Sequence, residues 1–110
     1  MSYKISGTTI TLTRGDTCAI DVNIFTQEGA KYQLQPGDTV RFAMKQSYSD
    51  ASPLVVKEID KQLMQIWLMP EDTKGLNFGN YVYDIQLTTA DGIVDTFIPK
   101  GKLKLTEEVD

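Results

Sequence analysis

Along most of the chain, apolar and polar residues alternate one by one. From Cys18 the apolar positions are Cys18, Ile20, Val22 and Ile24, with Ala19, Asp21 and Asn23 between them. Val40, Phe42 and Met44 alternate with Arg41, Ala43 and Lys45, and Tyr81, Tyr83, Ile85 and Leu87 alternate with Val82, Asp84 and Gln86. A period of two predicts strands, and one apolar face predicts antiparallel sheets that cover a core on one side only. Shorter strands are expected at Ile10 and Leu12, at Tyr32 to Leu34, and at Leu103 and Leu105. The set Ile20, Val22, Ile24, Val40, Phe42, Tyr83, Ile85 and Leu87 is the expected core.

Leu54 to Ile59 and Leu63 to Met69 carry apolar residues on both faces. They are expected to pair as a hairpin through Asp60-Lys61-Gln62, and a two-faced strand is either central or has its outer face covered by something else. Turn formers separate the strands. Gln27-Glu28-Gly29, Gln35-Pro36-Gly37-Asp38 and Ala90-Asp91-Gly92 combine glycine, which takes positive φ, proline, which fixes φ, and carboxylates that bond nearby backbone. Gly15-Asp16-Thr17 and Gly37-Asp38-Thr39 each precede an alternating strand and predict the same device, a turn whose Asp accepts backbone N–H groups. Ser47 to Pro53 predicts a polar loop. The one helical candidate is a single turn, Pro70-Glu71-Asp72-Thr73-Lys74-Gly75, with proline suited to its first position and glycine to its end. Strand signals at this spacing predict one all-β domain over residues 1–110, an Ig-like antiparallel β-sandwich of Greek-key type with about seven to nine strands.

Two groups of residues stand out. Leu76, Gly79 and Tyr81 form a Leu-x-x-Gly-x-Tyr pattern ahead of an alternating strand, the arrangement of a tyrosine corner. In such a corner the Tyr hydroxyl bonds back to upstream backbone, here near Leu76, and pins the crossover between sheets. Leu63, Trp67 and Met69 lie opposite in phase to Met64, Ile66 and Leu68. If the second set faces the core, the first makes an apolar outer stripe, a candidate interaction surface. In the reverse phase Trp67 is the core tryptophan common in sandwiches, and analogy with that fold inclines to the core position.

Composition removes much chemistry. The chain has no histidine and one cysteine, so it can form neither an internal disulfide nor a site that needs an imidazole base. Common zinc sites need several Cys or His ligands, and no metal or cofactor is expected. Asp84, Asp91 and Asp95 carry no Asp-x-Asp-x-Asp run of a calcium loop. Nothing in the pattern marks a catalytic carboxylate pair, and no catalytic residue is expected. Arg14-Gly15-Asp16 reads as a turn between strands, and Cys18 as a small buried hydrophobe. A net charge of -4 argues against a nucleic-acid partner, which calls for a basic face. No apolar run approaches the ~18 residues of a membrane span, and the N-terminus has no apolar segment of a signal peptide, so neither a membrane partner nor export is expected.

Several segments together resemble one family: Ile10-Thr11-Leu12-Thr13-Arg14-Gly15-Asp16-Thr17, Gly37-Asp38-Thr39-Val40-Arg41-Phe42-Ala43-Met44-Lys45, Pro70-Glu71-Asp72-Thr73-Lys74-Gly75-Leu76, and Gly79-Asn80-Tyr81-Val82-Tyr83-Asp84-Ile85-Gln86-Leu87. The Asp91-Gly92 turn, Asp95-Thr96 and Lys102-Leu103-Lys104-Leu105-Thr106-Glu107-Glu108-Val109 complete the likeness. In order and spacing they resemble the N-terminal domain of upper baseplate proteins from phages of Gram-positive bacteria and related small prophage tail proteins. The resemblance implies an Ig-like sandwich that attaches parts within a virion tail or baseplate. Other tail or baseplate proteins are then its partners, with homo-oligomers open, and it is made in the bacterial cytoplasm with no enzymatic activity and no cofactor. Larger members of that family continue into a long helix and receptor-linked parts; this sequence stops at Asp110. The alternative function is a carbohydrate- or cell-wall-binding β-sandwich module, which stacks flat aromatic rings on sugars.

Overall fold

The computed structural model describes residues 3–6, 9–24 and 29–107. Its strands are β1 (Tyr3–Ser6), β2 (Thr9–Thr13), β3 (Cys18–Asp21), β4 (Thr39–Lys45), β5 (Val55–Glu58), β6 (Gln65–Leu68), β7 (Gly79–Thr88) and β8 (Val94–Thr106). One helical turn, α1 (Pro70–Thr73), lies between β6 and β7. The strands form a six-stranded sheet in the order β1-β2-β8-β7-β4-β5 and a two-stranded sheet, β3-β6. The chain crosses between sheets from β2 to β3, β3 to β4, β5 to β6 and β6 to β7. That pattern makes it an all-β, Greek-key sandwich of Ig-like type.

The alternation of the sequence is the alternation of the core. Ile10, Leu12, Cys18, Ile20, Val40, Phe42, Met44, Ile66, Leu68, Tyr83, Ile85, Leu103 and Leu105 are all buried in one cluster between the sheets. Every residue of the core set expected from sequence lies in it. Phe42 and Tyr83, on neighbouring strands, stack with ring centroids 5.1 Å apart. Burying one such large side chain contributes about 1.5–3 kcal/mol, so this row is a main source of stability.

Three expectations need correction. First, the pairing is not wholly antiparallel: β2 runs parallel to β8, from Thr9 opposite Lys102 to Thr13 opposite Thr106. A parallel neighbour needs a long connection, and here the connection is most of the domain. Second, the segments around Asp60 do not pair as a hairpin. β5 pairs with β4, β6 pairs with β3, and between the two segments one isolated bridge joins Asp60 and Gln65. The turn itself redirects the chain: Asp60 Oδ1 accepts the N–H groups of Gln62 and Leu63, and Met64 takes a left-handed φ of 53°. The Met64 carbonyl then accepts the Val22 N–H, which commits the chain to the second sheet. Third, Tyr32 to Leu34 is not a ladder strand. This loop closes on itself, with the Tyr32 hydroxyl donating to Asp38 Oδ2 at 2.6 Å, although Tyr32 and Leu34 still pack against the core.

The turns elsewhere follow their chemistry. Asp38 Oδ2 also accepts the Gln35 N–H at 2.9 Å, the carboxylate-to-backbone bond expected there. The Asp16 and Asp38 amides donate to Thr13 and Gln35 respectively, so the two Gly-Asp-Thr segments share a backbone turn. Residues 27 and 28 of the expected Gln27-Glu28-Gly29 turn, and residues 108 and 109 of the last segment carrying the resemblance, lie outside the described residues.

Candidate interaction surfaces

Strand parity in the small sheet decides the position of Trp67. β6 pairs with β3 so that Leu68 faces Cys18 and Ile66 faces Ile20, and all four side chains are buried. Trp67 must then point outward, and it is 41 % exposed. The inclination toward a core tryptophan is therefore overturned: the core space is filled by Ile66 and Leu68. The partner across the ladder is Ala19, whose methyl group covers little of the ring. Met69, at the end of β6, is 37 % exposed and Leu63, in the preceding turn, is 58 % exposed. Beside Trp67, Gln65 Nε2 donates to Asp21 Oδ1 at 2.8 Å and gives the patch a polar border. Among the described residues β3 and β6 have no strand neighbour but each other, apart from the single Asp60–Gln65 bridge.

Leu76, Gly79 and Tyr81 come together as a corner. The Tyr81 hydroxyl donates to the Asn77 carbonyl at 2.7 Å, one residue beyond Leu76. Gly79 has φ of 137°, a value that side-chain-bearing residues rarely adopt, and Leu76 packs half-buried against the core. Sequence reading missed what braces this corner from outside. Arg14 Nη1 donates to the Leu76 carbonyl at 3.1 Å and its guanidinium lies 4.1 Å above the Phe78 ring. The buried Thr73 Oγ1 accepts the Gly15 N–H at 2.9 Å. The Arg14-Gly15-Asp16 tripeptide is thus a structural turn bound to the end of α1 and the loop after it. Only the apolar–basic pairing of Phe78 with an Arg could have hinted at it.

Lys57 extends from β5 to place its ammonium 2.9 Å from Asp72 Oδ2 on α1, and the same oxygen accepts the Met69 N–H. This pair links the edge of the large sheet to the helical turn that follows the small one.

The outer face of the large sheet carries a groove of about 410 Å³ that sequence reading did not find. Thr9, Lys102, Lys104, Asn80 and Val82 form its floor, and the loop after β4 supplies Tyr48 at its rim. Beside it is a depression of about 200 Å³ lined in part by Arg41, Lys45 and Asp84. The residues involved are distant in sequence, and only the strand register brings them together.

Two buried groups, Cys18 and Tyr83, are held neutral. Burial pushes the Cys18 thiol up to about 11, and burial together with the nearby Cys18 pushes Tyr83 up to about 12. Asp38 is held below the ordinary carboxylate value, first by the Tyr32 hydroxyl and then by the Gln35 amide. Among the described residues no group of three or more Cys, Asp or Glu side chains could hold a metal ion, and no helix is long and apolar enough to cross a membrane.

No protein-family model matches the chain, and no curated protein does. Among solved structures, CopC from Methylosinus trichosporium OB3b is similar at 14 % identity and a TM-score of 0.40, over 86 % of this chain and 93 % of that one.

Proposed function

We propose that the domain is a non-enzymatic structural module of a phage or prophage tail or baseplate, and that it works by packing against neighbouring tail or baseplate chains. The observation that carries this reading is the outward Trp67 on a two-stranded sheet, with Met69 exposed two residues on and Leu63 exposed in the turn before β6. Large apolar side chains left in water cost about 25 cal/mol per Å² of exposed surface, and a contiguous set of them marks a contact surface. A two-stranded sheet also offers backbone edges that a neighbouring strand can extend. The family resemblance of the turn and strand segments supports the same role, as does the lack of histidine for acid–base work. Made in the cytoplasm, the protein would reach the virion tail by assembly.

Co-expression with neighbouring tail proteins, followed by affinity capture, tests the proposal. Capture is expected with the native chain and is expected to fail for Leu63→Asp and Trp67→Asp. A second copy of the chain as the partner would show as a dimer lost in the same variants. The proposal fails if both charged variants keep every association of the native chain.

A further inference from the structure

The strand register on the outer face of the large sheet builds a row that the assembly role does not use. Thr9 lies opposite Lys102, Lys102 opposite Val82, and Val82 opposite Lys45, on four successive strands. One step along, Asn80 lies opposite Lys104. Lys102 and Lys104 stand two residues apart on one strand, about 6.6 Å, and Lys102 and Lys45 stand two strands apart, about 10 Å. The groove over this row holds two lysines and no acidic residue in its described lining. That is a local excess of basic side chains on a chain whose net charge is -4, with Asp84 the acid of the adjoining depression.

The rest of the lining narrows the ligand. Thr9, Asn80 and Ser47 offer hydroxyl and amide groups that both donate and accept, while Val82 and the exposed Tyr48 ring offer apolar surface. Hydrogen-bonding groups suit sugar hydroxyls, and a flat ring at the rim suits the apolar face of a pyranose. Two lysines at outward positions of one strand, with flexible side chains, suit a carboxylate or phosphate on that sugar. At about 410 Å³ the groove has room for one or two sugar rings rather than a folded partner.

We propose that this groove binds an anionic sugar, one bearing a carboxylate or a phosphate, with Lys102 and Lys104 pairing the charge and Tyr48 packing on the ring. The site is on the sheet face opposite Trp67, so it stands or falls separately from the docking surface.

Titration of the full chain by amide NMR tests it, with trigalacturonate and glucose 6-phosphate as anionic sugars. Maltotriose, inorganic phosphate and a hexaglutamate peptide serve as comparisons. One or both anionic sugars should shift the amides of Tyr48, Asn80, Lys102 and Lys104, with affinity that falls as salt rises. Lys102→Gln with Lys104→Gln should weaken that binding at least about tenfold. Tyr48→Ala should weaken sugar binding without changing the response to inorganic phosphate. The proposal is overturned if neither anionic sugar binds, or if maltotriose, phosphate or the peptide binds as tightly as the sugars. It is also overturned if the lysine and tyrosine variants bind the sugars like the native chain. Trp67→Asp should leave this titration unchanged.

Discussion

Tyr83 lays the hydroxyl end of its ring against Gly101, its partner across the β7–β8 ladder, so that a Cβ at position 101 would clash with three ring carbons. The pairing is irregular just beyond this point, with register shifts between Tyr83 and Gln86 opposite a stretch that contains Pro99. Proline cannot donate to a ladder, and the close approach of the tyrosine needs glycine. Gly101→Ala should therefore destabilise the domain by about 1–3 kcal/mol through overpacking, read from denaturant unfolding. Gly75→Ala, where nothing lies within 4 Å of the added methyl group, is the control and should change stability by no more than about 0.5 kcal/mol.

The corner makes a second prediction. Tyr81→Phe removes the bond to the Asn77 carbonyl and should cost about 0.5–1.5 kcal/mol. Thr73→Val leaves the Gly15 N–H without its 2.9 Å acceptor and should cost about 1–3 kcal/mol. Unchanged unfolding midpoints in both variants would remove the corner and its brace from the account of stability.

The Tyr32–Asp38 bond should give the protein a sensitivity at each end of the pH scale. Asp38 has its folded pKa lowered, so its contribution is present above the unfolded value of about 3.9 and lost as pH falls through the lower folded value. Tyr32 has its folded pKa raised, first by the bond to Asp38, so its contribution is present below about 10 and lost as pH rises through the higher folded value. Thermal melts of Asp38→Asn and Tyr32→Phe against pH check this. Asp38→Asn should flatten the acid limb and Tyr32→Phe the alkaline one.

Cys18 should be chemically silent in the folded state. It is fully buried, and its thiol is pushed up to about 11, so very little thiolate exists near neutrality. Iodoacetamide should label it only after unfolding, with mass spectrometry as the readout. Rapid labelling of the native protein would contradict the burial of β3.

Much of the sandwich was legible because period-two alternation is a direct trace of one-sided burial. It placed Val40, Phe42 and Met44, and Tyr81 through Leu87, on the correct face. Leu63, Trp67 and Met69 were legible as a set but not in orientation. Both phases around β6 carry large apolar residues; the polar Gln65 on the Trp67 phase was the one local sign that this phase faces out, and the pairing of Leu68 and Ile66 with Cys18 and Ile20 on β3 shows which phase is buried. The hairpin reading failed for a related reason. Short-range turn chemistry at Asp60 says that the chain reverses, but not that it changes sheets while doing so. The lysine groove was not legible, and of the Arg14 brace there was only the hint that Phe78 suits an Arg. Each joins residues more than fifty positions apart, and no local pattern encodes such a meeting.

The parallel run of β2 beside β8 has a mechanical meaning. Thr9 stands at the start of one strand and Thr106 at the end of the other, with the Thr9–Thr13 and Lys102–Thr106 segments in register between them. Tension that draws Thr9 and Thr106 apart slides the two strands along each other and strains the whole ladder at once. Gly79, by contrast, sits opposite Leu105 in an antiparallel pair, so tension between Gly79 and Thr106 opens that ladder one bond at a time from its end. Optical-tweezer handles at Thr9 and Thr106 should thus rupture at higher force than handles at Gly79 and Thr106. Along its own chain direction the domain resists stretching like a lap joint, while across it the same bonds peel like tape.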